Sequence, residues 1–265
     1  MSLKATILGC GTSGGVPRIG NQWGACDPAN PKNRRRRCAL LVEQTGDGGV
    51  TRVLVDTPPD LREQLNDADV GLLDGVLYTH DHADHVHGID DLRMVAYNAR
   101  RRVDVYYLKP FGEVLRQRFD YCFETPPGSE YPPVLNGHDI EPGEPVVIDG
   151  PGGPIKAIPI LQQHGSSESL GFRFNGLAYS PDVSDFPEES LGLLEGLDTW
   201  ILDALRYTGH PSHLSVDEAV SWVGRMRPKR AVFTHMHVDL DYETLKGQLP
   251  EGIEPAYDGM VIAAY

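Results

Sequence analysis

Residues 79–88 read Thr-His-Asp-His-Ala-Asp-His-Val-His-Gly, four histidines and two aspartates in ten positions. Neither an apolar core nor a solvated loop has a use for that composition. Neutral imidazoles and ionised carboxylates ligate divalent metals at neutral pH, and mixed nitrogen and oxygen donors suit zinc, manganese or iron better than calcium. Asp74 to Thr79 reads as a buried strand running out at its C-terminal end. The donors therefore sit on the loop that follows, and a strand end is a rigid mount for them. His80 and His82 lie two apart in extended chain and share one side, whereas Asp84 and His85 are adjacent and must diverge. That layout serves two ions more readily than one.

With 265 residues, 40% of them hydrophobic, the chain can bury a sizeable core, and no repeat or low-complexity linker divides it. Residues 1–265 are read as a single domain. The formal net charge of −14 weighs against extended nucleic acid as a partner and favours a small anionic substrate, which a local cationic patch or a metal pair can hold. Cys10, Cys26, Cys38 and Cys122 are far apart with no C-x-x-C pair, and the opening segment is too short in apolar run for a signal peptide. No stretch approaches the length that spans a bilayer. The expectation is a cytoplasmic protein with reduced thiols and no membrane partner.

Other donors also follow strands. Ile155 to Ile160 leads to Gln162-Gln163-His164-Gly165, and Leu177 to Ser180 leads to Pro181-Asp182. Asp198 to Leu202 runs into Asp203 and then Gly209-His210-Pro211-Ser212-His213-Leu214-Ser215, where Ser215 with Glu218 three residues on reads as the capping box of a helix. Arg230 to Thr234 leads to His235-Met236-His237. Upstream, Cys38 to Glu43 and Thr51 to Asp56 read as strands joined by the turn Thr45-Gly46-Asp47-Gly48-Gly49.

His80-x-His82-x-Asp84-His85, followed in order by His164, Asp182 and His235, resembles the signature of the metallo-β-lactamase superfamily. The resemblance implies an α+β fold, a four-layer αβ/βα sandwich with two mixed sheets packed together, helices outside and the metals at one edge. It implies two divalent transition-metal ions, zinc or manganese. One would take His80, His82, His164 and Asp182, the other Asp84, His85, His235 and Asp182, with Asp182 bridging. Such a pair lowers the pKa of a shared water, the hydroxide that attacks, and clamps phosphoryl oxygens. Asp56 resembles the acid that fixes a ligand imidazole by accepting its free N–H, the alternative being a cap for a helix over Asp60 to Asn66. Asp258 resembles an acid lying near the site, and His210 is a candidate for substrate contact. His237 reads as an outer or surface residue.

Two features compete for attention. Gly9-Cys10-Gly11-Thr12-Ser13-Gly14 satisfies G-x-G-x-x-G, but Val16-Pro17-Arg18-Ile19-Gly20 offers no helix to meet a pyrophosphate, so a dinucleotide site is set aside. Arg34 to Arg37 are four consecutive cations in an acidic chain, either a solvated face or arginines reaching inward to carboxylates or a substrate phosphate. The segment resembles the entry loop of bacterial cyclic phosphodiesterases, which carry a zinc-binding cysteine cluster there. This chain has only Cys26, so a third ion is not expected. Asp90 to Arg102 reads as an amphipathic helix. Residues 103–145 are the least informative stretch, a candidate lid or homodimer contact in which His138 reads as a loop residue.

His213 resembles the general acid of the superfamily's phosphodiesterase branch, working beside Asp84 and the other ligands, although a lone histidine there is otherwise structural. The reading is a metal-dependent phosphodiesterase for a small, ribose-containing, cyclic or nucleotide-like phosphodiester, closest in resemblance to the phosphoribosyl cyclic phosphodiesterases. Ribonuclease Z-like tRNA processing and lactone or thioester hydrolysis are the alternatives on the same ligand set.

Overall fold

The computed structural model describes residues 2–264 and contains two seven-stranded sheets. The first holds β1 (Ser2–Gly9), β2 (Ala39–Gly46), β3 (Gly49–Val55), β4 (Gly75–Leu77), β5 (Val103–Tyr107), β6 (Leu135–Asp139) and the last strand, β14 (Met260–Ala264). The second holds β7 (Val146–Ile148), β8 (Ile155–His164), β9 (Ser167–Phe174), β10 (Leu177–Ser180), β11 (Thr199–Asp203), β12 (Arg230–Thr234) and β13 (Ile253–Pro255). Their orders are β14-β1-β2-β3-β4-β5-β6 and β13-β12-β11-β10-β9-β8-β7. Each is mixed: hairpins pair antiparallel, while β3-β4-β5-β6 and β10-β11-β12-β13 run parallel.

The sequence alternation explains the layering. Along β2 and β3, Leu40, Val42, Val53 and Val55 face the second sheet, in one core with Phe172, Phe174, Ile201 and Phe233. Their neighbours Ala39, Leu41 and Leu54 face the opposite way, onto Leu61 and Leu65 of α1 (Leu61–Asp67) and buried residues further along the chain. A strand with both faces apolar is buried on both sides, which requires helices outside the sheet. On the far side Trp222 and Val223 pack against the inter-sheet core, carried by α7 (Val216–Met226). The expected α+β sandwich of sheet on sheet with flanking helices is the observed architecture.

Between α1 and α7 lie α2 (Ala83–Val86), α3 (Leu92–Ala99), α4 (Lys109–Arg118), α5 (Asp120–Phe123) and α6 (Glu188–Leu191); α8 (Tyr242–Gln248) follows β12. Ser215 caps α7 in the expected box: its hydroxyl accepts from the Glu218 amide, and its own amide donates to the Glu218 carboxylate. The helix expected over residues 90–102 is shorter. It begins at Leu92 after a short 3-10 turn and ends at Ala99, because Arg100 enters the left-handed region at φ 52°. His138 stands on β6, not in a loop, with its ring stacked on Tyr106 and Nε2 at 2.8 Å from Asp104. The glycine run after β1 continues as irregular chain, Val16 exchanging backbone hydrogen bonds with Arg35, as the missing helix signal required.

The arginine run turns inward. Arg35 is buried and donates to the Leu240 and His237 carbonyls, Arg36 pairs with Asp67 and Asp258, and Arg37 pairs with Asp60. Arg34 is exposed over the Trp23 ring. Cys26 packs with Val16 and Val238 in a small apolar cluster, and its thiol faces the Val238 and Leu240 carbonyls and the Arg35 guanidinium. Among the described residues no helix is long and apolar enough to cross a membrane.

Candidate metal centre

The C-terminal ends of strands in both sheets bring the donors together. Beyond β4 come His80, His82, Asp84 and His85; β8 ends on His164; Asp182 stands two residues past β10; β11 ends on Asp203; His235 follows β12 directly. The loop after β4 needs a close approach at Gly88, where a Cβ would lie 2.1 Å from the Pro58 carbonyl oxygen. Two residues at this edge, Asp56 and His235, leave their strands with positive φ, 66° and 57°. Neither is glycine, and such conformations cost about 1 kcal/mol or more, a strain that clusters at working sites.

The donor atoms fall into two nests. His80, His82 and His164 form one, and Asp84, His85, Asp182 and His235 the other, each with ligand atoms within 4.8 Å of one another. Asp182 links them. Its Oδ1 lies 3.0 Å from His85 Nε2, while its Oδ2 lies 3.4 Å from His235 Nε2, 3.8 Å from His80 Nε2 and 4.0 Å from His164 Nε2. Asp84 Oδ2 is 3.5 Å from His85 Nε2 and 3.8 Å from His235 Nε2. His164 Nε2 is 3.3 Å from His82 Nδ1.

The outer nitrogens are held so that the inner ones are free. His85 Nδ1 donates to Asp56 Oδ2 at 2.7 Å, and His164 Nδ1 donates to the Ser212 carbonyl at 2.7 Å. His80 Nδ1 is 2.9 Å from the Thr79 hydroxyl, which itself donates to Asp56. Pinning Nδ1–H in this way leaves Nε2 as an unprotonated donor aimed inward. His80 Nε2, His85 Nε2, His235 Nε2 and Asp182 Oδ1 are all buried without a hydrogen-bond partner. Orphaned polar atoms of this kind are costly unless something pairs them, and four converging on one place fit cations.

The charge states agree. Burial holds His80 well below its ordinary pKa and His164 at about 4, so both are neutral at pH 7, as metal donors would need to be. Burial would raise Asp182 and Asp84, yet His235 and His85 around the first, and His85 with His235 around the second, keep both below the carboxylate range. Burial also works against protonated His85, but Asp182, Asp84 and Asp56 raise it. In a metal-free cluster a proton on His85 is thus the counter-charge that a cation would replace.

All seven expected ligands lie in the two nests, and Asp56 accepts from His85 Nδ1, while the cap position of α1 is Asp60. His213 stands beside them. Its ring stacks on His235 at 4.5 Å and 9°, and Nδ1 lies 2.7 Å from Asp203 Oδ2. Asp203 is the residue that sequence reasoning missed. It is fully buried, also takes the Val183 amide, and lies 3.8 Å from His235 Nδ1. The available signal was that it ends a strand beside the site, as Asp56 nearly does. His210 touches the cluster only through its ring, 5.1 Å from that of His213, with Nδ1 toward Ser212. His237 contacts Arg18 and Asp239. The least legible region also reaches this loop: Arg118 donates to the Asp81 carbonyl at 2.6 Å and pairs with its carboxylate, and Phe119 packs edge-on against His87.

Asp258 does not join the donors. It accepts from the Cys10 amide at 3.2 Å and from the Arg36 amide at 2.8 Å. Burial pushes its carboxyl up from 3.8 to about 6 despite Arg36. The folded chain holds that proton more tightly than the unfolded chain, so the group's stabilising contribution is complete below about pH 4 and lost as pH rises through about 6. About two pKa units correspond to at most roughly 3 kcal/mol. Asp258→Asn is expected to gain on the wild type by up to that amount between about pH 4 and 7. Urea unfolding of both proteins across the range checks it, and a constant difference would refute it.

Residues 51–236 match the family model for the β-lactamase superfamily domain. A crystal structure described as a new diphosphatase from the PhnP family is 36% identical, covers 100% of this chain and 98% of that one, and superposes with a TM-score of 0.88. Human tRNase Z, short form, is 17% identical, with 98% of each chain covered and a TM-score of 0.63, and shares the fold. An octanoyltransferase of Porphyromonas gingivalis is 32% identical over 263 residues, 97% of this chain and 51% of that protein. The chain spans about half the length of that curated relative. By family match and by fold, this chain belongs to the β-lactamase superfamily and has the metallo-β-lactamase fold.

Proposed function

We propose that the chain is a dinuclear metal-dependent phosphodiesterase acting on a small, ribose-containing, cyclic phosphodiester. The observation that carries the reading is His213, an imidazole held by Asp203 at 2.7 Å against the ligand His235 while lying outside the seven-ligand set. Hydrolysis of an alkyl phosphodiester expels an alkoxide that needs a proton, and this is where such a donor would stand. When bound in the two nests, a divalent ion pair supplies Lewis-acid polarisation of phosphoryl oxygens and an acidified water. The chain's residues do the remainder. Asp203 accepts from Nδ1 and stabilises the imidazolium; His213 passes its Nε2 proton to the departing oxygen as the P–O bond breaks and returns to neutral imidazole. Asp56 and the Ser212 carbonyl keep His85 and His164 in the tautomer that presents Nε2.

A second reading, hydrolysis of a diphosphate bond in a nucleotide-like substrate, draws support from the relative described as a diphosphatase at 36% identity. The formal charge of −14 weighs against processing of long RNA. The name of the P. gingivalis relative makes an octanoyl thioester a necessary control. With metal-loaded enzyme, kcat/KM for bis(p-nitrophenyl) phosphate and for a ribose cyclic phosphate is expected to exceed that for nitrocefin and for the octanoyl thioester. A better rate on either control overturns the phosphodiesterase reading, and a better rate on a nucleoside diphosphate ester selects the second one.

A further inference from the structure

The structure assigns Arg118 a role as the positioning residue for the candidate ligand His82, the one donor of the first nest whose ring nothing outside the nest holds; the inference rests on the two-ion reading above. His80 Nδ1 meets the Thr79 hydroxyl and His164 Nδ1 the Ser212 carbonyl. Among the described residues the His82 imidazole makes one hydrogen-bond contact, with His164 inside the nest. His82 is also the exposed member of the three. A ring without an outer partner has to be aimed by its backbone.

That backbone is pinned from both directions. The His82 carbonyl accepts from the His85 amide at 3.0 Å as α2 begins, with His82 at the cap position. The preceding peptide is held by Arg118, whose Nη1 donates to the Asp81 carbonyl at 2.6 Å while Nη2 lies 3.1 Å from Asp81 Oδ2. A peptide group is planar, so a grip on the Asp81 oxygen fixes the plane that carries the His82 nitrogen and limits how far the ring can swing. A guanidinium suits this two-pronged contact, because its nitrogens sit in one rigid fork; an ammonium is a point charge on a flexible stem.

The helix that carries Arg118 is a firm mount. Leu115 of α4 is buried in the core outside the first sheet, and Gly112 lies so close to the Tyr107 ring of β5 that a Cβ there would collide with it. Arg118 is the last residue of that helix, and the next, Phe119, sets its ring edge-on to His87. Two consecutive residues thus clasp the donor loop on either side of α2, at Asp81 and at His87. Asp56 orients His85 through its imidazole; Arg118 does the equivalent for His82 through the main chain.

The test is metal affinity, read by competition with a chromophoric chelator as metal-free protein is titrated with zinc. The wild type is expected to show two binding constants, and His82→Ala marks the one that belongs to the first nest. Arg118→Met should weaken that constant about tenfold, the lower end of the range for residues that orient ligands because Arg118 is 44% exposed, and should leave the other within about twofold. Arg118→Lys should recover part of the loss, and Asp81→Asn, which keeps the carbonyl, should lose less than Arg118→Met. Melting temperatures separate positioning from packing: without metal Arg118→Met should match the wild type, and on adding zinc it should gain less. Equal losses at both constants, no loss at either, or the same destabilisation with and without metal would overturn the assignment. A wild type with a single constant would sink the two-ion reading instead. Arg118 would then stand if that constant falls in Arg118→Met with metal-free melting unchanged, and would lose its role if the constant holds.

Discussion

Asp182→Ala is expected to purify with at least one transition-metal ion fewer per chain than the wild type, which should carry about two. Of the seven candidate ligands, Asp182 is the one whose two oxygens face both nests, Oδ1 toward His85 and Oδ2 toward His235, His80 and His164. Removing it leaves three imidazoles in one nest and Asp84, His85 and His235 in the other, with a single carboxylate between them to offset up to four positive charges. The loss should exceed that of an orienting residue, for which 10–100-fold in affinity is usual, so more than roughly 100-fold at one nest is the expectation. Asp56→Asn is the comparator. It disturbs the His85 imidazole through Nδ1 without removing a ligand atom, and it should weaken retention while keeping both ions at saturating metal. A cation that binds the folded chain alone also stabilises it, so chelation should lower the wild-type melting temperature more than that of Asp182→Ala. Elemental analysis decides: an Asp182→Ala protein retaining both ions would mean that this carboxylate is no bridge.

Much of this cluster was legible because each candidate ligand follows a strand, and strands declare themselves by apolar runs bounded by polar residues. His80, His82, Asp84 and His85 were visible through density alone. His164, Asp182 and His235 carry no such density, and only their order after the first motif singled them out. Their meeting depends on antiparallel pairing of β8, β9 and β10 and parallel pairing of β10, β11 and β12, a long-range property that local pattern does not contain. Asp203 shows the limit. Read along the chain it is the polar residue that ends an apolar strand; only in three dimensions does its carboxylate lie 2.7 Å from His213, ten residues away across an irregular loop. The arginine run was ambiguous for the same reason. Nothing in four identical cations distinguishes Arg35, buried against carbonyls, from Arg34, exposed over an indole. The end of α3 was overrun because Arg100 is an ordinary helix former, yet it takes a left-handed backbone whose amide, with that of Arg101, closes the helix onto the Tyr97 and Ala96 carbonyls. By contrast the capping box at Ser215 is local chemistry, and it was read correctly.

His213→Ala is expected to keep both ions and to lose roughly 10²–10⁴-fold in kcat, the range for removal of a general acid. Metal retention has to be measured first. His213 also lies within ligand distance of His164 and Asp182 on one side and of Asp203 and His235 on the other, so a role in holding an ion is the competing explanation. Its Nδ1 bond to the buried Asp203 fixes the ring with Nε2 toward the cluster; burial lowers His213 on balance, with Asp182 the largest group working the other way. Leaving-group dependence then separates proton donation from positioning. A p-nitrophenolate departs without a proton, so the defect should be small with bis(p-nitrophenyl) phosphate and large with a ribose diester that expels an alkoxide. Equal defects on both would mean that His213 orients the phosphate. Asp203→Asn should follow the same split with a smaller loss, because it changes the basicity and tautomer of the imidazole while leaving the ring stacked on His235. Loss of an ion in either variant would move His213 from proton donor to ligand.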